Sequence, residues 1–355
     1  MISECRLMNW RSAERARLFF DRKNIFTGPN GSGKSNLLEA LGFLGVLRSF
    51  RTLRTGELIR SECSEFHLRG VWNELNKSPL KLEVSMNCSG ERTLRVNDIK
   101  ESSGRDFIQH FFPVVFAPED MEMICGAPAV RRRFFDMLSS QLDDGYINVL
   151  HDYLKALKLR NTLLKNPRKV DTEKLEVYEG MLAFAAADIT ARRQKYIAEF
   201  NRILSSLAPE SNALISVEYL PQCSGDAGSF LAAFARSRSR EIEKRTTLVG
   251  CHLDDYRFYR NKILMKGFAS NGQNRMAALN CKLASALMLM EKRGAEKLIA
   301  LVDDVTGELD KVHREIFFKM LAPAGQIFFT CTEIPGDELF RDAKILKMPD
   351  ALSGK

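Results

Sequence analysis

No apolar run in this 355-residue chain approaches the roughly 18 consecutive residues that a membrane-crossing helix needs. The eight cysteines (Cys5, Cys63, Cys88, Cys125, Cys223, Cys251, Cys281, Cys331) contain no C-x-x-C pair, so neither a zinc site nor a disulfide framework is expected. The five histidines (His67, His110, His151, His252, His313) form no ligand-like cluster. Met1-Ile2-Ser3-Glu4 lacks the basic-then-apolar build of a signal peptide. There is no internal repeat and no low-complexity tract. Together these absences exclude a membrane protein, a disulfide scaffold and a solenoid. They set the expectation of a reduced, cytoplasmic protein with no membrane partner.

What is present is an ordinary globular composition, 45% apolar and 28% charged, with 53 basic against 45 acidic residues and a net charge of +8. That excess suits a polyanionic partner. The most informative segment is Gly28-Pro29-Asn30-Gly31-Ser32-Gly33-Lys34-Ser35, a Gly-x4-Gly-Lys-Ser phosphate loop. Several backbone N–H groups must converge on a polyphosphate, and a glycine-rich turn bends tightly enough to supply them. The helix expected to follow, Ser35 to Leu44, adds its positive N-terminal end. Lys34 is then the residue to bridge the terminal phosphates, and the Ser35 hydroxyl the one to sit on Mg²⁺.

Residues 1–120 read as a mixed lobe. Leu80, Leu82, Val84, Met86 and Cys88 alternate with polar residues as a half-buried strand, with Leu94, Val96 and Ile99 as its hairpin partner. Phe111 to Phe116 reads as a buried strand. From 121 to 210 the apolar spacing is helical, and the third helix, about Thr172 to Leu207, carries Arg192, Arg193, Lys195 and Arg202. This pattern suggests a basic arm inserted into a globular head. Residues 211–355 return to strands, among them Leu298 to Val302.

That last strand ends at Asp303-Asp304. A buried strand delivering an acid beside a phosphate loop is what a Mg²⁺ partner requires, which assigns the metal to Ser35 and Asp303; Asp304 is the candidate to polarise the attacking water. Ser270-Asn271-Gly272-Gln273 precedes an apolar-striped helix and is either a second anion-binding device or a simple N-cap. As an anion device it could serve the γ-phosphate of another subunit, and Thr306 to Asp310 would lie at that same subunit junction.

These motifs, in this order, resemble the RecF family of bacterial recombination mediators, ABC-type ATPases whose heads are related to SMC proteins. The resemblance spans nearly the whole chain. It rests also on Phe50 to Arg54, Glu57 to Arg60, Phe116 to Met121, Arg131 to Asp136, and Gly250-x-His252-x-Asp254-Asp255. It implies an α/β ATPase head with an inserted helical domain that binds ATP and Mg²⁺ and dimerises with nucleotide between protomers. In that arrangement Lys34, Ser35 and Asp303 act in cis while Ser270 and Gly272 act from the twin, with Gln273 beside them a further nucleotide-binding candidate. It further implies weak, DNA-stimulated ATPase activity and work with RecO and RecR to load RecA at gapped DNA. The sequence departs where the family usually has Pro and Arg at Cys251 and Leu253, and a His and an acid at Phe50 and Gly56. A transporter ATPase subunit is disfavoured because no switch histidine follows the last strand. An ATP-binding scaffold without turnover is the other rival.

For DNA the candidates are Arg51 and Arg54, in a run with Arg48 and Arg60 opposed only by Glu57, and Arg131, Arg132 and Arg133. Arg160 to Lys169 and Arg236 to Arg245 are further basic stretches. No stretch interleaves aromatics with basic residues, so contact with the backbone of double-stranded or gapped DNA is expected rather than base readout.

Overall fold

The computed structural model describes residues 1–165, 171–208, 213–304, 311–334 and 340–352. The chain forms two compact units, one from residues 1–120 and 281–355, the other from 121–280.

The first unit holds two sheets. One is antiparallel throughout, in the spatial order Ala13–Phe19, Ile2–Trp10, Glu65–Trp72, Leu80–Asn87, Arg92–Val96, Ile99–Glu101. The expected alternation holds for Leu82, Val84 and Met86, which point to the core while their neighbours are partly exposed, whereas Cys88 lies beyond the strand and is exposed. Ile99 is not part of the Leu94 strand. Asn97 and Asp98 take positive φ (49° and 68°) and turn the chain, so Ile99 opens a further short strand.

The other sheet is parallel, in the order Lys344–Lys347, Lys23–Thr27, Gln326–Cys331, Leu298–Asp303, Phe112–Phe116. All six residues of Leu298–Asp303 are buried, as a central parallel strand requires. The helix Lys34–Val46 follows the inner strand Lys23–Thr27 through the phosphate loop. Leu37, Leu38, Ala40, Leu41, Phe43 and Leu44 are all buried, so this helix is apolar on nearly every side. Trp10, 4.8 Å from Phe66 and 5.4 Å from Phe43, ties it to the antiparallel sheet, and the indole N–H donates to the Asn36 carbonyl at 2.8 Å.

The second unit packs the helices Pro128–Leu142, Asp144–Leu164, Thr172–Ser206 and Ala227–Lys244 with a small antiparallel sheet, Ile263–Leu264, Asp255–Arg260, Ile215–Leu220. Asp143, Asp171 and Asp226 cap three of these helices. The sequence ends the helical segment near 210, whereas this unit continues to Asn280, because the Ile215–Leu220 strand packs on the helix Thr172–Ser206. That helix is no simple basic arm. Leu175, Leu182, Ala186, Ile189 and Tyr196 form a buried stripe, and Arg193 lies on it, 2% exposed.

Candidate functional site

The carboxyl ends of the parallel strands converge on one edge, where Asp303 is in register with Thr330 and Cys331 with Thr27. Ligands of open parallel sheets bind at that edge. The phosphate loop starts there, and two of its glycines are sterically fixed. A Cβ on Gly28 would lie 2.4 Å from the Met348 carbonyl oxygen. Gly33 has φ 95°, and its Cβ would meet Leu352 Cδ1 at 2.6 Å.

Lys34 Nζ donates to the loop's own carbonyls, Gly28 O at 2.7 Å and Pro29 O at 2.9 Å. Ser35 Oγ donates to Asp303 Oδ1 at 2.9 Å, and Thr330 Oγ1 donates to the same oxygen at 2.8 Å. Burial pushes the Asp303 carboxyl above the ordinary aspartate range, and these two donors offset it only in part. Asp304 is exposed, takes φ 52° and hands its N–H to Thr330 Oγ1 at 3.0 Å. Ser32 Oγ is buried with no partner.

This cradle fits a magnesium nucleotide. It combines an unpartnered hydroxyl, a cation parked on carbonyls, and a hydroxyl–carboxylate pair of hard oxygens. Ser35 and Asp303 are the side chains that could hold a metal there. Thr330 was not among the residues the sequence singles out, although it orients both acids. Its signal was its place at the end of the buried Gln326–Cys331 strand.

The surroundings of the loop change the reading of the nearby arginines. Glu39, fully buried, receives Arg11 at 2.7 and 2.8 Å and the Ser49 hydroxyl. Arg51 donates to Asn36 Oδ1 at 2.8 Å, lies 3.9 Å from Glu39, and its charge helps hold Asp303 ionised. Arg51 is therefore tied to the nucleotide helix, next to Ser35. Arg60 pairs with Glu14 at 2.8 Å, so Glu57 is not the only acid opposing this run. Arg54 has 86% of its side chain exposed, with Glu57 at 3.8 Å.

Ser270, Gly272 and Gln273 belong to the second unit. Ser270 N–H donates to Gln273 Oε1 at 3.0 Å and Gln273 N–H to Ser270 Oγ at 3.3 Å, a capping box on the helix Asn271–Arg293. All three are exposed, and nothing lies within 4 Å of a Cβ built on Gly272. Thr306 to Asp310 fall outside the described residues.

Arg131, expected among the DNA contacts, does not lie on the surface. It is 2% exposed, fork-bonded to Asp255 at 2.7 and 3.0 Å and bonded to Gly126 O. Burial works against ionisation of Asp255, yet the Arg131 bonds hold its carboxyl low. Arg132 donates to Asp254 O at 2.7 Å, and Arg133 is half-buried and engaged. Arg160 is fully buried between Glu179 and Glu241. His252 bonds Tyr153 at 2.6 Å through Nδ1, and burial lowers its pKa to about 4. The polar groups of Gly250, His252, Asp254 and Asp255 are thus engaged within the second unit.

Residues 1–335 match the family model described as "RecF/RecN/SMC N terminal domain". The "DNA replication and repair protein RecF" of Streptococcus pneumoniae (strain CGSP14) is 35% identical over 341 residues, 92% of this chain and 91% of that protein. A solved "recombination mediator protein RecF-ATP in RecFOR pathway" superposes with a TM-score of 0.90 at 30% identity, covering 99% of this chain and 96% of that one. An Smc head domain from Pyrococcus furiosus shares the fold, at 15% identity and a TM-score of 0.51 over 99% of this chain and 94% of that one. The chain belongs to the RecF family within the RecF/RecN/SMC N-terminal domain proteins.

Proposed function

We propose that the chain is an ATP-dependent, DNA-binding recombinational repair protein that dimerises on ATP and hydrolyses it slowly, faster with DNA. One observation carries this reading: Ser35 and Asp303 share a hydrogen bond at the sheet's carboxyl edge while Lys34, a step away, rests on carbonyls it can exchange for phosphate oxygens. The solved relative at TM-score 0.90 is described with ATP, which supports the same ligand here.

Bound magnesium would neutralise charge on the phosphates. The chain's own residues do the rest. Backbone N–H groups of Gly31 to Ser35 and the helix N-terminus cradle the phosphates. Lys34 leaves Gly28 O and Pro29 O for them. Thr330 fixes Asp303 and sets the backbone of Asp304, whose exposed carboxylate is the candidate to hold the attacking water. Ser270, Gly272 and Gln273, held in a rigid capping box with open space around Gly272, supply the contact from the twin subunit. Arg54 and its neighbours contact DNA phosphates. The relative named in the RecFOR pathway extends the proposal to RecO and RecR as partners. The family resemblance extends it to RecA loading at gaps and to a cytoplasmic setting. Among the described residues no helix is long and apolar enough to cross a membrane.

Light scattering with ADP, ATP and a slowly hydrolysed analogue, with and without gapped DNA, tests the proposal. A dimer is expected with ATP and the analogue only. Phosphate release should be slow and rise with DNA. Its absence under both conditions would leave an ATP-binding scaffold.

A further inference from the structure

The six-stranded antiparallel sheet turns one face to the core, and register stacks the cations of its other face in one row. Arg17 pairs with Arg6, Arg6 with Arg69, Arg69 with Glu83, Glu83 with Arg95, and Arg95 with Lys100. Six strands thus contribute one residue each to a line roughly 24 Å long at a strand spacing of about 4.8 Å. Glu83 is its only acid. Arg15 and His67 flank the line in the next row.

Like charges directly opposite one another destabilise a sheet, and Arg17–Arg6–Arg69 places three in succession. Local acids only partly answer them. Glu4 accepts from both Arg6 and Arg17, and Glu83 lies 3.3 Å from Arg69. Arg69 Nε is buried and has no partner. A depression of about 470 Å³ follows the row, lined by Arg6, Arg15, Arg17, Arg69 and Arg95 among others. None of the nucleotide-site residues lines it.

We propose that this sheet face is a docking surface for the backbone of duplex DNA. Guanidinium forks suit phosphate, and a 24 Å row matches roughly seven base-pair rises of about 3.4 Å. Single strands are disfavoured because sheets that grip them offer open aromatic platforms. Here the exposed aromatic is Phe19, at the sheet edge, and the Arg17 guanidinium covers its ring at 4.9 Å. An acidic protein partner is disfavoured because the row lacks large apolar anchors of the kind that protein interfaces bury. The inference extends the DNA reading above and gives it a second location, apart from Arg54.

Fluorescence anisotropy with a labelled 30-base-pair duplex, titrated across salt, tests it on the full chain. The variant R15Q/R17Q/R95Q should lose about tenfold or more in affinity, with a log–log salt slope shallower by about 2.7 for three lost contacts. ATP binding at the phosphate loop should be unchanged. Glu83→Gln, which removes the row's acid, should tighten duplex binding, a gain that misfolding does not mimic. If the parent binds duplex and both variants match it in affinity and slope, this surface is wrong while the DNA reading stands. A parent that binds no duplex at all overturns both. Equal loss of a single-stranded probe, bound by the parent as tightly as duplex, overturns the choice of duplex.

Discussion

Two clusters of buried charge in this molecule look alike in sequence and differ in what they leave open. Around Arg193, every guanidinium nitrogen is engaged: Nε and Nη2 with Asp136, Nη1 with Asp254 and the Cys251 carbonyl. Tyr219 and the Gln222 N–H complete Asp254. At the phosphate loop, Lys34 rests on carbonyls and Ser32 Oγ has no partner. Burial raises the Asp303 carboxyl as it does that of Asp254, but Asp303 has only two neutral donors where Asp254 has a guanidinium. A satisfied network holds a fold together, whereas an incomplete one waits for a ligand.

The largest contrast should come from Lys34→Ala against Arg193→Ala. The first should reduce ATP turnover on the order of 10²-fold or more with the fold intact, read by phosphate release and circular dichroism. The second strands Asp136 and Asp254 and should destabilise the second unit by about 3–5 kcal/mol, read by denaturant unfolding. Equal stability losses from both would erase the distinction.

Asp303→Asn should sharpen it. Turnover should fall, yet the nucleotide-free protein should gain stability, because a buried carboxylate is replaced by a neutral acceptor for Ser35 and Thr330. The sign follows from the raised pKa. The penalty for ionised Asp303 is absent below the unfolded value of 3.8 and grows as pH rises through the folded value. The parent's stability should therefore show a downward component over that window that the variant lacks. Thermal unfolding across pH reads it.

His252 works in the opposite direction. With its pKa lowered to about 4 from 6.5, the folded state favours the neutral ring. Its contribution is present above pH 6.5 and is lost as pH falls towards 4, up to about 3 kcal/mol. His252→Gln should flatten that acid limb, and an unchanged limb would show that other groups dominate it. The smallest effect belongs to Arg54→Ala, within about 0.5 kcal/mol in stability because its ion pair is exposed. Its duplex salt slope should nonetheless fall by about 0.9.

Legibility in the sequence followed how local each signal was. The phosphate loop, its helix and the Leu298–Asp303 strand were readable because glycine spacing and an unbroken apolar run are local properties. The hairpin was readable up to Val96, but the Asn97-Asp98 turn was hidden by an apolar Ile99 that looked continuous with the strand. Arg131, Arg160 and Arg193 were misleading. A run of arginines looks the same whether solvated or buried, and their partners Asp255, Glu241 and Asp254 lie 124, 81 and 61 positions away. Thr330 was hidden for the same reason, since its role exists only once parallel pairing brings it beside Asp303.

Calorimetric titration with ATP, in magnesium and in chelator, tests the central claim most directly. The account predicts saturable binding that tightens with magnesium and disappears in Lys34→Ala. No heat of binding in saturating magnesium ATP would contradict it.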